Sequence, residues 1–262
     1  MKAAPAPANP AAEFRSGLIR MGLDPRKFDY VVALAGNPNT GKSTVFNQLT
    51  GLNQHTGNWP GKTVARAEGR FDAFGKKYKV VDLPGTYSLL SRTVEEEIAR
   101  DFLLFGSPDV VVVVVDATCL ERNLNLTLQL LDITDRVVVC LNLMDEAKRR
   151  GIEVDATKLE EMLGVPVVPC AARRGDGLSN LVEKVHAVAT GAVKCSPVRL
   201  NPRPEIQRAL DELTPQVAQV LPHAANPRWV AMRLLDGDET IMEEVQRGHL
   251  AHFDARPIEG QA

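Results

Sequence analysis

The segment from Gly36 to Ser43 has the residue types and spacing that bind a polyphosphate. Its sequence, GNPNTGKS, satisfies the pattern G-x-x-x-x-G-K-[ST] and lies between an apolar run and a helical pattern. The glycines let backbone N–H groups wrap phosphate oxygens, Lys42 reaches the β- and γ-phosphates, and Ser43 offers its hydroxyl to Mg²⁺. The nucleotide-binding residues predicted here are Gly36, Asn37, Pro38, Asn39, Thr40, Gly41, Lys42, Ser43 and Thr44.

A D-x-x-G motif follows a short apolar run and would supply a carboxylate for the same site. Strands of an α/β sheet end at a common edge, so the motif would lie beside the phosphate loop. We expect Asp82 to hold Mg²⁺, usually through water, although such a motif standing alone would suit an ordinary strand-ending turn. Its residues are Asp82, Leu83, Pro84 and Gly85.

The residue after this motif bears on the rate of hydrolysis. It is Thr86, where Ras-like enzymes carry a glutamine that orients the attacking water. Hydrolysis would then rely on backbone groups, a bound cation or a partner. We therefore place Gly85 with Lys42 among the catalytic residues and expect slow turnover, on the order of 10⁻⁴ to 10⁻² s⁻¹.

An N-x-x-D motif after another apolar run would select the base. Guanine presents two donors, N1–H and the exocyclic amino group, which one carboxylate accepts together, whereas adenine lacks that pair. We assign this carboxylate to Asp145 and expect Asn142 to brace the loop and approach N7. The motif is a weak signal alone, but its position after the first two indicates binding of GTP and GDP. Its residues are Asn142, Leu143, Met144 and Asp145.

A fourth segment stands after the last predicted strand, where guanine-specific GTPases carry S-A-[KR]. Here the residues are Cys170, Ala171, Ala172 and Arg173. The backbone N–H of Ala172 would meet the guanine oxygen. Because Ala171 replaces the usual serine, a bracing hydroxyl is missing and we expect guanine to be held more loosely.

The polar segment from Gly51 to Thr63 would carry a further catalytic residue, a threonine. It is rich in glycine and asparagine, so we predict no regular secondary structure there. GTPases order such a loop around the γ-phosphate and Mg²⁺, and we assign Thr63 as the second protein ligand of the metal, with Thr56 and Thr40 as competing choices. Gly61 and Lys62 are assigned to the nucleotide with it. His55 and Trp59 receive no catalytic role.

Alternating strands and helices are needed to position these motifs. Apolar runs predict strands at 30–35, 64–71, 79–81, 110–115, 137–141 and 165–168, of which the weak 64–71 pattern suits a sheet edge. Helices are predicted at 43–50, 94–104, 124–133, 158–163 and 178–188. Continuous valine runs indicate strands covered on both faces, so we predict the α/β, doubly wound, mostly parallel sheet of a P-loop GTPase.

The composition changes at a proline-rich joint, Ser196 to Pro204. Beyond it, helical stripes predict a small bundle with helices near 206–220, 229–235 and 239–246. A short amphipathic helix is also predicted at 13–21. We divide the chain into a flexible lead-in at 1–28, a GTPase domain at 29–192 and a helical domain at 193–262.

Charge and composition argue against several other classes of protein. Lysine and arginine total 31 against 33 acidic residues, and the net charge of −2 leaves no footprint for nucleic acid. No stretch approaches the ~18 consecutive apolar residues of a membrane-spanning helix. The cysteines lack metal-ligand spacing and suit reduced thiols of a cytosolic protein; they are Cys119, Cys140, Cys170 and Cys195.

Four segments together resemble the G domain of FeoB, the bacterial ferrous iron transporter: GNPNTGKSTVFNQLTG, HTGNWPGKTV, VDLPGTYSL and LNLMDEAKRRGI. The likeness covers roughly residues 30–188. It implies a regulatory GTPase at the cytoplasmic face of the bacterial inner membrane, followed by a helical, GDI-like region that influences GDP affinity. The implied partner is a transmembrane permease, through which any oligomer would form. The permease is missing from this chain, which we expect to be a soluble portion unable to transport iron alone.

The resemblance also implies activation by K⁺. FeoB-like enzymes are similar to a cation-dependent group in which an asparagine at the position of Asn39 holds K⁺ against the phosphates, with loop carbonyls near Asn58 and Trp59 completing the shell. The cation would stabilise charge that Thr86 cannot. The alternative is that Asn39 only caps a turn. The metal ligands assigned are Ser43, Thr63 and Asp82 for Mg²⁺ and Asn39 for K⁺.

Two other functions stay open at this point. A soluble ribosome-assembly GTPase would share the motifs, but it would normally bring a basic RNA-binding appendage, and residues 202–262 have no basic run with interleaved aromatics. A guanine-nucleotide sensor would bind without turnover. A gel-shift with rRNA tests the first alternative, and a measurement of multiple-turnover phosphate release tests the second.

Overall fold

The computed structural model describes residues 18–19, 21–51, 53–90, 93–199, 202–221, 224 and 226–247. Within them, one seven-stranded sheet has the order β2-β3-β4-β1-β5-β6-β7. β2 and β3 run antiparallel to their neighbours, and the other pairs are parallel, which confirms the predicted sheet. The strands are β1 (Tyr30–Gly36), β2 (Gln54–Asn58), β3 (Ala65–Ala73), β4 (Lys76–Asp82), β5 (Val110–Asp116), β6 (Val137–Asn142) and β7 (Val167–Pro169).

The central strands are buried on both faces, as their valine runs predict. In β5, Val111, Val113 and Val115 belong to one hydrophobic cluster, whereas the alternate valines belong to a second cluster on the opposite face. Side chains of a strand point alternately to the two faces, so an unbroken apolar run requires cover on both.

Helices provide that cover close to the predicted positions. Capping side chains set two of the starts: Thr93 accepts a hydrogen bond from the Glu96 N–H, and Asp155 accepts one from the Lys158 N–H. The fourth helix is short and was not expected. The helices are α1 (Lys42–Thr50), α2 (Val94–Asp101), α3 (Leu120–Ile133), α4 (Met144–Arg149), α5 (Ala156–Leu163) and α6 (Leu178–Ala189).

Several local predictions are wrong. The segment expected to be irregular contains β2, which occupies the sheet edge and places β3 in the interior. The helix predicted at 94–104 ends at Asp101 and continues as a buried π-helical turn, Phe102–Gly106. The turn ends at a glycine because there is no room for a side chain: a Cβ on Gly106 would lie 2.9 Å from Met21 Sδ. β4 is longer than predicted, and β7 begins two residues later.

Three further helices form the C-terminal region: α7 (Pro204–Val220), α8 (Pro227–Leu235) and α9 (Glu239–Arg247). Asn226 caps α8 through its side-chain oxygen, and its Nδ2 donates to the Asp132 carbonyl at the end of α3, 2.8 Å away. Leu210, Trp229 and Ile241 join the hydrophobic cluster that lines one face of the sheet. None of the described helices combines the length and apolar character needed to cross a bilayer.

The predicted lead-in lies partly outside the described residues, as does most of the helix expected at 13–21. Leu18, Met21 and Leu23 are buried, and the Met21 carbonyl accepts a hydrogen bond from Arg66 Nη1 at 2.5 Å. Leu18, Met21 and Leu23 therefore belong to the packed body, and the predicted flexible lead-in does not extend to these three residues.

Candidate nucleotide-binding site

The sheet brings all four motifs to one edge. β4 pairs with β1 so that Asp82 lies opposite Leu34, two residues before the end of β1 at Gly36. β6 ends at Asn142, and β7 leads directly to Cys170. Parallel strands that end together form the crevice in which α/β proteins bind ligands.

Two residues of the phosphate loop have left-handed backbone conformations, which few residue types adopt readily. Asn39 and Gly41 adopt left-handed conformations, with φ of 67° and 82°. A Cβ on Gly41 would lie 2.4 Å from Asn142 Nδ2. The loop is closed by a bond of 3.0 Å from Thr40 Oγ1 to the Asn37 carbonyl. Because α1 begins directly after the loop, its N-terminus favours an anion at this position.

Lys42 and Asp82 form an ion pair between the phosphate loop and the end of β4. Burial raises the pKa of the Asp82 carboxyl, and the charge of Lys42 partly opposes this. Among the residues described, no group of three His, Cys, Asp or Glu side chains is placed to hold a metal ion. Mg²⁺ in nucleotide sites commonly takes one or two carboxylates with waters and phosphate oxygens, and Asp82 with the Ser43 hydroxyl fits that donor set.

Asn142 joins the phosphate loop to the base-recognition loop. Its Nδ2 donates to the Thr40 carbonyl at 2.9 Å, and its Oδ1 accepts from the Ala172 N–H at 3.0 Å. Asn142 is buried, so these bonds are shielded from water. The Ala172 N–H expected to meet guanine thus already has an acceptor, which a guanine oxygen would have to share or replace.

The loop after β7 is braced by its backbone. The Ala171 N–H donates to the Asp176 carbonyl at 3.1 Å in an isolated antiparallel bridge. Gly177 makes this approach feasible, because it has a φ of 82° and a Cβ there would lie 2.2 Å from the Pro169 carbonyl oxygen. These contacts brace the loop through its backbone, and the expectation of loosely held guanine stays a prediction.

A cavity of about 570 Å³ adjoins the two base-recognition segments. It is bordered by Met144, Asp145, Cys170 and Ala171, and its volume falls within the ~300–1,000 Å³ of small-molecule sites. The Met144 N–H donates to the Cys170 carbonyl at 3.1 Å and ties the two segments together.

Thr63 lies in the connection between β2 and β3. It is exposed, and within the described chain no hydrogen bond links it to Ser43 or Asp82. Lys62 holds the loop towards α2, with Nζ 3.2 Å from Glu97 Oε1. The assignment of Thr63 as a metal ligand stays a prediction. Of its competitors, Thr40 is buried and bonded within the phosphate loop, and Thr56 is exposed on β2.

The D-x-x-G turn lies against the phosphate loop. A Cβ on Gly85 would be 3.5 Å from Pro38 Cα. The Thr86 N–H donates to the Gly36 carbonyl at 3.3 Å, and the Thr86 side chain is buried. Thr86 therefore does not project into the crevice as a water-orienting side chain would.

Sequence reasoning missed several residues that shape this site. Glu97 is one of three consecutive glutamates, so nothing in the sequence distinguishes it. The Asp176-Gly177 dipeptide is a turn signal and could have been found. All four cysteines are free: Cys119, Cys140, Cys170 and Cys195.

Comparison with known families gives two matches that divide the chain. Residues 30–185 match the family described as "Ferrous iron transport protein B". Residues 203–258 match the family described as "FeoB cytosolic helical domain".

Individual relatives agree with these matches. The "Fe(2+) transport protein A/Fe(2+) transporter FeoB fusion protein" of Porphyromonas gingivalis is 38% identical over 242 residues, which are 90% of this chain and 29% of that protein. The cytosolic domain of L. pneumophila FeoB has a TM-score of 0.75 at 35% identity, with 87% of this chain and 90% of that chain covered. The cytosolic domain of T. maritima FeoB in GDP form II has a TM-score of 0.73 at 36% identity, with coverage of 84% and 87%. The chain spans 27–29% of the length of the curated relatives.

Proposed function

This chain belongs to the FeoB family, with its G domain and cytosolic helical domain, and on that premise we propose that it is a guanine-specific, Mg²⁺-dependent and K⁺-activated GTPase. Slow hydrolysis would make it a regulatory switch of a ferrous iron transport protein. The observation that carries this proposal is the pair of Asn142 hydrogen bonds, because they hold the phosphate loop and the base loop in one rigid arrangement. A ligand that spans both loops must carry a polyphosphate and a base.

Guanine selection is assigned to Asp145. Its carboxylate accepts the N1–H and the 2-amino group of guanine together, which adenine cannot offer. The Ala172 N–H, which already donates to Asn142 Oδ1, would be shared with the guanine oxygen, and Asn142 would approach N7. Met144, Cys170 and Ala171 line the same cavity as Asp145, and Leu143 is assigned to the base site with them.

Mg²⁺ would be held by Ser43, Thr63 and Asp82 together with phosphate oxygens. When bound, the ion neutralises charge on the β- and γ-phosphates. Lys42 would exchange its Asp82 partner for phosphate oxygens, and Thr63 would reach the site only after the loop moves. That movement is the switch, because only contacts with the γ-phosphate and its Mg²⁺ stabilise the moved loop, and GDP lacks this phosphate.

K⁺ would be held by Asn39 and by loop carbonyls near Asn58 and Trp59. Two observations support this assignment: Asn39 is exposed, and it lies in the phosphate loop with a left-handed backbone. A cation at this point stabilises charge developing between the β- and γ-phosphates. Gly85 would contribute through its backbone, since Thr86 is turned inward.

The link to iron transport comes from the family. Because the relatives are far longer than this chain, we assign the transport step to a permease portion at the inner membrane, with this region on its cytoplasmic face. The helical region α7 to α9 would modulate GDP affinity through its packing on α3. Any oligomer would form through the membrane portion, and nucleic acid is not an expected partner.

Nucleotide selectivity tests the core of this proposal. GTP and GDP should bind at least ~100-fold tighter than ATP, because adenine leaves Asp145 unpaired at a cost of ~3 kcal/mol. Asp145→Asn should shift preference towards xanthine nucleotides. Asp176→Asn is the matched control, since that exposed carboxylate lines the same cavity. Equal affinity for ATP and GTP would overturn the assignment, and binding without multiple turnover would identify a sensor.

A further inference from the structure

The indole of Trp59 is buried although the loop around it is polar. Its side chain is 1% exposed, whereas Asn58, Gly61 and Thr63 are exposed. The Phe102 ring packs edge-to-face against it with centroids 5.6 Å apart, and the Arg66 guanidinium lies 5.1 Å from its centre. An aromatic edge and a cation thus fix the ring from two sides.

The backbone of the loop closes on the same residue. The Trp59 N–H donates to the Val64 carbonyl, and the Lys62 N–H donates to the Trp59 carbonyl, both at 3.0 Å. Residues 60–63 therefore form a short excursion that leaves and returns beside Trp59. Thr63 lies on this excursion, whereas Asn58 precedes it.

The contacts of Trp59 lead to neighbouring elements and not to solvent. Phe102 begins the π-helical turn that continues α2, and Lys62 pairs with Glu97 of the same helix. On the other side, Arg66 donates to the Met21 carbonyl at 2.5 Å. The indole is therefore held by parts of the body that lie outside the loop.

We propose that Trp59 is a positioning residue for hydrolysis, whose buried ring is the pivot of the loop. Residues 60–63 move when Thr63 binds the metal, while the ring anchors the backbone of Asn58 and Trp59, whose carbonyls are the proposed cation ligands. This inference rests on the proposed function for its effect on catalysis. The pivot itself is a property of the fold and is testable separately.

Packing, and not hydrogen bonding, provides the anchor. Trp59 Nε1 and Arg66 Nε are both buried and have no acceptor within the described residues. A buried donor without an acceptor does not stabilise the fold, so removing the indole N–H should cost no stability if an aromatic ring is kept. Phenylalanine should therefore replace Trp59, because it retains the aromatic contact with Phe102, whereas alanine should not.

The kinetic test compares Trp59→Ala, Trp59→Phe and Trp229→Ala. Trp229 is the only other tryptophan; it is also buried, but it lies in α8. In Trp59→Ala the K⁺ concentration for half-activation should rise at least ~10-fold while the Kd for GDP stays within ~3-fold of the wild type. Trp59→Phe should restore the wild-type value, and Trp229→Ala should leave it unchanged. Unchanged half-activation in Trp59→Ala would refute the positioning role.

A second test needs no turnover. In Trp229→Phe, Trp59 is the sole tryptophan, so its emission reports the pivot directly. The emission should stay that of a buried indole with GDP and with a GTP analogue plus Mg²⁺ and K⁺, while hydrogen exchange slows at residues 60–63 with the analogue. A shift to solvent-exposed emission, or equal exchange in both states, would overturn the pivot. If the wild type shows no K⁺ activation, the proposed cation role fails, and these two readouts still decide the pivot.

Discussion

Replacing Asn142 with alanine tests whether one side chain couples the phosphate loop to the base loop. The change removes both hydrogen bonds, to the Thr40 carbonyl and from the Ala172 N–H. Thr40, Asn142 and Ala172 are each 1% exposed, so water cannot readily replace the lost partners. Each buried group left without a partner costs about 1–3 kcal/mol.

The expected effect therefore divides between stability and affinity. We expect the free energy of unfolding to fall by about 2–4 kcal/mol, since two buried groups lose their partner and some relaxation follows. The two loops then lose their fixed separation, and GDP should bind at least ~10-fold more weakly, equivalent to ~1.4 kcal/mol. Urea unfolding measures the first quantity and titration with fluorescent GDP measures the second.

Asn123→Ala is the matched control for this change. Asn123 is also buried, its Nδ2 donates to the Cys119 carbonyl at 2.8 Å, and its Oδ1 already lacks a partner. Within the described residues its hydrogen bonds reach only Cys119 and Thr127, so its removal should lower stability without a comparable loss of GDP affinity. If Asn142→Ala binds GDP as the wild type does, the coupling of the two loops through this side chain is refuted.

Three further predictions concern the cation, the buried carboxylate and the base loop. Turnover should be at least ~10-fold faster in KCl than in NaCl at equal ionic strength, and Asn39→Ala should abolish this advantage while GDP binding persists; equal rates in the two salts would reject the cation site. Burial raises the pKa of Asp82 above its ordinary 3.8, so its contribution to stability is present below pH 3.8 and is lost as the pH rises through the folded-state pKa. Asp82→Asn in the nucleotide-free protein should therefore gain stability relative to the wild type as the pH rises from 3.8, and a constant difference in urea unfolding would contradict this. Gly177→Ala should lower the free energy of unfolding by about 1–3 kcal/mol more than Gly191→Ala does, because both glycines have positive φ but only a Cβ at Gly177 would meet the Pro169 carbonyl. Equal melting temperatures for the two variants would contradict this and show that the loop shifts to accommodate the Cβ.

The parts of the fold that were predictable are those in which burial leaves a periodic pattern. β5 and β6 read as valine runs because helices cover both faces, and the motifs at their ends follow from the parallel topology. β2 had no such pattern. All five of its residues are exposed, and backbone pairing with β3 holds it, which polar residues such as Gln54 and His55 do not reveal.

The edge of the sheet at which the motifs meet was predictable, and the contacts between them were not. Motif spacing identified Lys42 and Asp82, but their direct pairing depends on how the loops pack. The burial of Trp59 could not be read from a polar loop, because its partners Arg66 and Phe102 come from other elements. A lone apolar residue has no period, so only tertiary contact decides whether it is buried.

Leu143 shows how the site departs from local backbone preference. Its φ of 62° is left-handed, a conformation that costs a residue with a Cβ roughly 1–2 kcal/mol. The conformation lets the chain pass from the end of β6 into α4 within one residue, so that Asp145 falls in the first turn of that helix. The bonds on either side hold it there, because Asn142 is tied to two loops and the Met144 N–H donates to Cys170. The strain at Leu143 is a local cost that the bonds on either side offset, and under the proposed function it sets the position of the Asp145 carboxylate.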